Sequence, residues 1–229
     1  MWTDTLLVLG AYLFGAFPVV YLLGRIRGYN LSKEEDMHSG LWHKVGRREG
    51  FIGIAWDVVK GGVAVVIVDK VLDFGQGTIV AVGLAVIAGL MWSIFLGSKG
   101  EKGNTTSLGV ASALAYKALP FLFGPILLGL AFRTLPRVLD STQSRDDRLK
   151  FGGPPSMSLP LGMLTGFALF PVGCWYMDQP WETTVGGIVI FLLIVAKRLT
   201  AGLRKDLETA RTSKGSILFY RTLLDRSYL

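Results

Sequence analysis

Gly97-Ser98-Lys99-Gly100-Glu101-Lys102-Gly103-Asn104-Thr105-Thr106 governs how the rest of this chain is read. One apolar run, 78–97, stops at it and another starts at 105, so a polar, glycine-rich turn stands at the edge of two hydrophobic segments. Its residues suit an anion. Glycines let the backbone curl so that several N–H groups point at one charge. Lysines add point charges. Thr105 and Thr106 can cap a helix whose N-terminus also favours an anion. The soluble nucleotide-binding spacing Gly-x-x-x-x-Gly-Lys-Ser/Thr is absent. The same residues also suit a basic turn held against lipid headgroups at the cytoplasmic surface.

The chain around the loop is apolar. Of 229 residues, 51% are hydrophobic and only 18% charged, and the mean hydropathy is +0.46. Apolar runs separated by basic loops read as an all-α, polytopic inner-membrane protein forming a single domain, 1–229. The net charge of +7 then needs no nucleic acid, because lysine and arginine are retained on the cytoplasmic side. Cys174 is the lone cysteine, which excludes an internal disulfide and a cysteine-based metal site. His38 and His43 are the only histidines, so no metal and no cofactor is expected. The first apolar run, 5–23, is too long for a signal-peptide core and lacks a basic flank, so it reads as a retained first span.

Spans are expected at 5–23, 51–72, 78–97, 157–177 and 183–197. The stretch 105–133 carries Pro120 and Pro125 and is too long for one straight span, so it reads as two short helices, 105–118 and 120–133, breaking near Pro120. That makes about seven crossings. With the N-terminus outside and the C-terminus cytoplasmic, the cytoplasmic segments 24–50, 97–104, 133–156 and 197–229 hold 21 of the 24 lysines and arginines. Six spans would strand either the Lys99/Lys102 loop or the basic C-terminus on the wrong side. Segment 137–155 is polar and rich in proline and glycine, and reads as a flexible cytoplasmic loop; 205–229 reads as a cytoplasmic tail without an assigned role.

Asp57 and Lys60 lie on one face of an apolar helix. A charge at membrane depth costs about 2.5–3.5 kcal/mol on insertion scales, so the two are expected to form a structural ion pair near the interface rather than to do chemistry. Gly61, Gly62, Gly83 and Gly89 are expected to permit close helix packing. A second polar cluster is His38-Ser39-Gly40-Leu41-Trp42-His43-Lys44-Val45-Gly46-Arg47-Arg48. Ser39 between two histidines invites a nucleophile and a base, while the cations equally suit anionic lipid. A third, Lys197-Arg198-Leu199-Thr200-Ala201-Gly202-Leu203-Arg204-Lys205, follows the last span and is either an anchor or a source of guanidinium for a phosphate. Transport is disfavoured, since buried charges are few and the polar residues gather on one side.

Together the three clusters resemble one family, the bacterial membrane-integral glycerol-3-phosphate acyltransferases that use acyl-phosphate. The residues 15–28, ending in Gly24-Arg25-Ile26-Arg27-Gly28, look like that family's first helix and its Gly-Arg exit. Ser39-Gly40 falls where the family has Gly-Ser-Gly-Asn. Gly46-Arg47-Arg48-Glu49-Gly50, then Asp57 and Lys60-Gly61, match the start of its second helix and its Asp-x-x-Lys-Gly. Residues 89–106 are similar to Gly-His-x-Phe-Pro-x-Phe-x-x-Phe-Lys-Gly-Gly-Lys-Gly-x-Ala-Thr, and Ser158-Leu159 lies where a Ser-Leu-Ala-Ser stretch opens the sixth helix. The departures are those of a distant member. The first loop is short, Leu90 and Ser93 stand for a histidine and a proline, and Lys197, Arg198 and Ala201 stand for the Arg, His and Asn of Arg-His-x-x-Asn-Ile.

The resemblance implies acyl transfer from a fatty acyl-phosphate to the 1-hydroxyl of glycerol-3-phosphate, forming lysophosphatidic acid in phospholipid biosynthesis at the cytoplasmic face of the inner membrane. Lys99, Lys102 and the Gly100, Gly103 and Thr105 backbone would hold phosphate, with Arg47, Arg198 and Ser158 assisting. Ser39 would contact the acceptor, with Lys102 and His43 beside it as catalytic groups. His38, His43 or the substrate's own phosphate is left to take the hydroxyl proton. The expected partners are these two substrates and membrane lipids, with no nucleic acid. The alternative is a relative that binds lipid phosphate or a partner protein without this turnover.

Overall fold

The computed structural model describes residues 2–34, 36–140, 142, 158–209 and 213–225, and among them every regular element is helical. The helices, in chain order, are α1 (Trp2–Ala16), α2 (Val19–Ile26), α3 (Met37–Gly40), α4 (Arg47–Val66), α5 (Gln76–Met91), α6 (Asn104–Leu114), α7 (Leu119–Leu139), α8 (Ser158–Tyr176), α9 (Trp181–Thr200), α10 (Leu203–Thr209) and α11 (Lys214–Leu224). Among the described residues, six segments are long and apolar enough to cross a membrane: Trp2–Ile26, Arg47–Val71, Gln76–Leu96, Tyr116–Pro136, Ser158–Tyr176 and Trp181–Thr200. Large apolar side chains left exposed recur three or four apart, as Leu6, Leu9 and Leu13 on α1 and Val59, Val63 and Val66 on α4. Such stripes are what lipid-facing helices present.

Two boundaries differ from expectation, both because of proline. The expected single span 5–23 is broken: α1 ends at Ala16 and α2 starts after Pro18. Proline has no N–H and its ring clashes with the preceding turn. Carbonyls freed by that break are taken up from other helices. Ser93 Oγ donates to Ala16 O at 2.6 Å, and Lys60 Nζ donates to Gly15 O at 3.3 Å. The second difference lies in 105–133. The break falls at Ala115–Ala118 rather than at Pro120, and α7 runs on to Leu139 instead of stopping at 133. Pro120 is the second residue of α7, where a missing N–H costs nothing, so it starts that helix rather than ending one. Helix α6 has 11 residues, about 16 Å at 1.5 Å per residue, or roughly half a hydrocarbon core. It is sheathed by the bundle, with Thr106, Ser107, Gly109, Val110, Ala111 and Leu114 buried.

The core is built from helix pairs. Helix α7 packs along α8, α1 along α5, and α4 along α6. The α4–α6 contact is backbone on backbone. A Cβ at Gly109 would meet the Val58 carbonyl, and one at Gly61 the Thr106 carbonyl. Small residues allow this approach where no water drives helices together. The expected loop 137–155 lies, beyond residue 142, outside the described residues.

The expected tail is not loose over its described part. Helix α11 lies against α8 and α9, burying Ile217, Arg221 and Leu224. The docking satisfies two helix C-termini at once. Arg198 NH1 donates to Thr222 O at 3.1 Å near the end of α11, and Arg221 Nε donates to Arg198 O at 3.1 Å near the end of α9. Arg221 also holds Asp206 and the Ala201 carbonyl. Terminal carbonyls lack intrahelical partners and favour cations. Replacing Arg221 by alanine leaves these groups unpartnered, at a cost of about 1–3 kcal/mol. Amides of Lys214–Leu224 then exchange hydrogen faster while α5 keeps its protection.

Candidate functional site

The loop after α5 is shaped by backbone that only some residues adopt. Gly97 and Ser98 have φ of 60° and 62°, and Gly103, at 81°, precedes α6 in the left-handed region. Glycine takes that conformation without steric penalty. A Cβ at Gly100 would strike the Leu90 carbonyl, so the loop lies directly on the end of α5. The last carbonyls of α5 are satisfied from outside. Lys197 Nζ donates to Met91 O and stands 5.5 Å from the centre of the Trp92 ring, while Tyr12 Oη donates to Trp92 O at 2.7 Å.

Beneath the loop lies a charged cluster that joins three parts of the chain. Asp57 and Lys60 form an ion pair of 2.8 Å, both side chains 1% exposed. Asp57 has a second partner, His38 Nε2, at 2.9 Å. Thr106 Oγ1 of α6 donates to the Asp57 carbonyl at 3.0 Å. The pair expected near an interface is thus fully enclosed and ties the first loop to α4. Burial opposes the His38 imidazolium, yet the hydrogen bond to Asp57 and the charges of Glu101, Asp57 and Asp36 outweigh it and raise its pKa to about 9. A folded pKa raised above 6.5 contributes stability that is whole below that pH and is lost as pH rises through about 9. Melting of detergent-solubilised protein should therefore fall on the alkaline side, and His38→Asn should flatten that limb.

Two small cavities open beside the loop, sharing the wall formed by Gly100, Glu101, Met37 and Leu96. One also touches Ser32, Glu34 and Lys99. The other reaches Asp57, Lys60 and Ser93 and continues along the apolar side chains at the α1–α2 break, Phe17, Pro18 and Tyr21. A polar end that runs into an apolar groove fits a ligand with one charged and one hydrocarbon part.

The expected site residues are not all in one place. Lys99, exposed, and Lys102, half-buried, flank Gly100 and Glu101 in the loop, with Thr105 in the first turn of α6. Lys102 Nζ pairs with Asp225 at 2.7 Å, just beyond α11. Ser39 is in α3, where its N–H donates to the Asp36 carboxylate, the cap of that helix. His43 is exposed in the turn Leu41–Val45, and Arg47 is exposed at the start of α4. Of the residues expected to bind or react, only Lys99 and Gly100 line these two cavities; Ser39, His43, Arg47, Lys102, Gly103, Thr105, Ser158 and Arg198 line neither. Arg198, expected to assist at a phosphate, instead directs its guanidinium to the carbonyls of Thr222, Leu223 and Pro160. Ser158 opens α8 with its carbonyl against Gly129.

Sequence reasoning missed Glu101 as a site residue. It is 5% exposed, and burial pushes its carboxyl up to about 7, with His38 and Lys60 lowering it and Asp36 and Asp57 raising it. One signal was present: a lone carboxylate inside a loop otherwise suited to anions.

Fold and site together define a polytopic helical membrane protein that carries a basic, glycine-curled loop over an apolar-walled groove. The family model described as Glycerol-3-phosphate acyltransferase matches residues 5–205, and the chain belongs to that family. Glycerol-3-phosphate acyltransferase 5 of Dehalococcoides mccartyi is 32% identical over 228 residues, covering 96% of this chain and 88% of that one. Glycerol-3-phosphate acyltransferase 4 of Dehalococcoides mccartyi strain CBDB1 is 31% identical over 229 residues, again covering 96% and 88%. The crystal structure of PlsY (YgiH), an integral membrane glycerol 3-phosphate acyltransferase, in its glycerol 3-phosphate form superposes with a TM-score of 0.68 at 22% identity. It covers 95% of this chain and 99% of that one, and supports the fold.

Proposed function

We propose that this protein transfers a fatty acyl group from acyl-phosphate to the 1-hydroxyl of glycerol-3-phosphate, forming lysophosphatidic acid for phospholipid synthesis. The observation that carries this reading is the loop 97–103. In a chain belonging to the glycerol-3-phosphate acyltransferases, it sets Lys99 on a polar cavity whose Gly100–Glu101 wall is shared with a groove that turns apolar at Phe17, Pro18 and Tyr21, with Lys102 next in the loop. Both substrates carry phosphate, and the donor also carries a hydrocarbon chain. Acyl-phosphate is a mixed anhydride with a good leaving group, so the protein needs mainly to position the two reactants and stabilise charge. Lys99, Lys102 and the Gly100, Gly103 and Thr105 backbone hold phosphate, Ser39 meets the acceptor, and Arg47 and Ser158 would assist only if substrate reached beyond the two cavities. The loop faces the cytoplasm of a bacterial inner membrane, with α6 as the short seventh crossing. That arrangement leaves 21 of the 24 basic residues in cytoplasmic segments.

A second reading has one specific observation in its favour. Lys102 is already paired with Asp225, and Arg198 is held by α11, so two cations expected at phosphate are engaged within the chain, as suits a relative that binds lipid phosphate or a partner protein without this turnover. Purified protein given labelled glycerol-3-phosphate separates the two. Product with palmitoyl-phosphate and none with palmitoyl-coenzyme A supports acyl-phosphate transfer. Product with the thioester alone contradicts the donor assignment, and retention of palmitoyl-phosphate with no product favours the binder.

A further inference from the structure

Glu101 has no place in a purely phosphate-holding loop. It lies between the two lysines, where a negative charge weakens the hold on an anion. Its side chain turns inward and is 5% exposed, and Oε1 is buried with no hydrogen-bond partner. An unpartnered buried carboxylate oxygen is costly to keep and is ready to accept a hydrogen bond from something that is not protein. The residue also forms part of the wall common to both cavities, the one beside Lys99 and the one that runs along Phe17 and Tyr21. A group at that junction meets whatever bridges the polar and apolar ends. In acyl transfer, that is the reacting carbonyl and the attacking hydroxyl.

We propose that Glu101 is a catalytic residue of this chain, the base that takes the proton of the acceptor hydroxyl. The proposal rests on the acyl-transfer reading above. The hydroxyl oxygen attacks the carbonyl carbon of acyl-phosphate and a new ester C–O bond forms. The bond between that carbon and the bridging phosphate oxygen breaks, and its electron pair leaves with phosphate. The hydroxyl proton passes to Glu101 and from there to the departing phosphate, which leaves as hydrogen phosphate. No metal, cofactor or covalent enzyme intermediate enters the balance.

The surroundings suit a base that must work near neutral pH. Facing Glu101 are Glu34, Asp36 and His38 from the first loop, Asp57 and Lys60 from α4, and Lys197 from α9, with Lys99 and Lys102 beside it in its own loop. Burial outweighs the cations and holds the carboxyl at about 7. A base poised there is ionised in good part at neutral pH and still accepts a proton readily. This also supplies the group that Ser39, exposed His43 and the missing last-motif histidine leave open.

The experiment measures kcat and KM for glycerol-3-phosphate across pH, with palmitoyl-phosphate saturating, for wild type, Glu101→Gln and Glu101→Asp. For wild type, kcat rises along a limb centred near 7. Glu101→Gln, close in shape but unable to accept the proton, should lose about 100- to 10,000-fold in kcat, with little change in KM, and should lose the limb. Glu101→Asp, which keeps a base at shorter reach, should retain a limb at reduced kcat. A Glu101→Gln enzyme with wild-type kcat and an unchanged limb overturns the role of Glu101 while leaving the acyltransferase reading intact. If Glu101→Gln does not fold, Glu101→Asp decides: wild-type kcat with no change of profile overturns the role. Absence of product from folded wild type removes the acyltransferase reading, and this proposal with it.

Discussion

Lys102→Ala abolishes most lysophosphatidic acid formation while leaving the fold in place. Lys102 stands between Glu101 and the left-handed Gly103, at the start of α6; on the proposed reading its ammonium, the backbone N–H groups and the helix N-terminus would share one phosphate. Removing one preorganised donor of this kind costs about 100- to 1,000-fold, or roughly 3–4 kcal/mol, in the reaction. The fold loses only the Asp225 pair, whose side chains are 21% and 17% exposed. A partly solvated pair of this sort is worth about 1 kcal/mol or less. Asp225→Asn removes the same pair from the other side and should leave turnover close to wild type. That contrast separates loss of a phosphate contact from loss of an internal ion pair. Turnover assays and melting on both variants check it, and normal turnover by Lys102→Ala would refute the loop assignment.

Asp57→Ala has the opposite signature, a loss of the protein itself. Asp57 faces two cations, Lys60 at 2.8 Å and His38 at 2.9 Å, and is 1% exposed. Removing one partner of a buried pair leaves uncompensated charge and costs about 3–5 kcal/mol, a large part of a typical domain's stability. Membrane yield should drop and detergent melting should fall steeply. Adding Lys60→Met to Asp57→Ala should recover part of the loss, because it removes one stranded cation. Wild-type melting of the single variant would show that the cluster does not hold the first loop to α4.

How much of this was legible follows from the range of each interaction. The anion-type loop could be read because its signal is local: glycines and lysines at fixed spacing between apolar runs. Asp57 and Lys60 were legible as a pair for the same reason, being three apart on one helix. The helix break at Pro18 inside the expected span 5–23 was not foreseen, and the break before α7 was set near Pro120 rather than at Ala115–Ala118, though both turn on a single proline. What decided each was whether the missing N–H fell inside a helix or in its first turn. The second partner of Asp57, His38, is 19 residues away, and no periodicity links them. Docking of α11 was equally hidden. Its segment has mixed polarity, and its anchors, Arg198 and Arg221, act on carbonyls, which leave no mark in a side-chain pattern. Arg198 therefore looked like a phosphate ligand when its bonds close the C-terminal end of the fold. Glu101 was visible as an odd residue in the loop, but only the cavities show that it faces inward.

The central claim is that the loop serves acyl transfer from acyl-phosphate to glycerol-3-phosphate, and the most direct test measures both products at once. Purified wild-type protein is given palmitoyl-phosphate and glycerol-3-phosphate, and lysophosphatidic acid and inorganic phosphate are followed together. The two should appear in equal amounts, both should require glycerol-3-phosphate, and both should be lost in Lys102→Ala. Folded protein that retains palmitoyl-phosphate yet forms neither product, or that releases phosphate without lysophosphatidic acid, would contradict it.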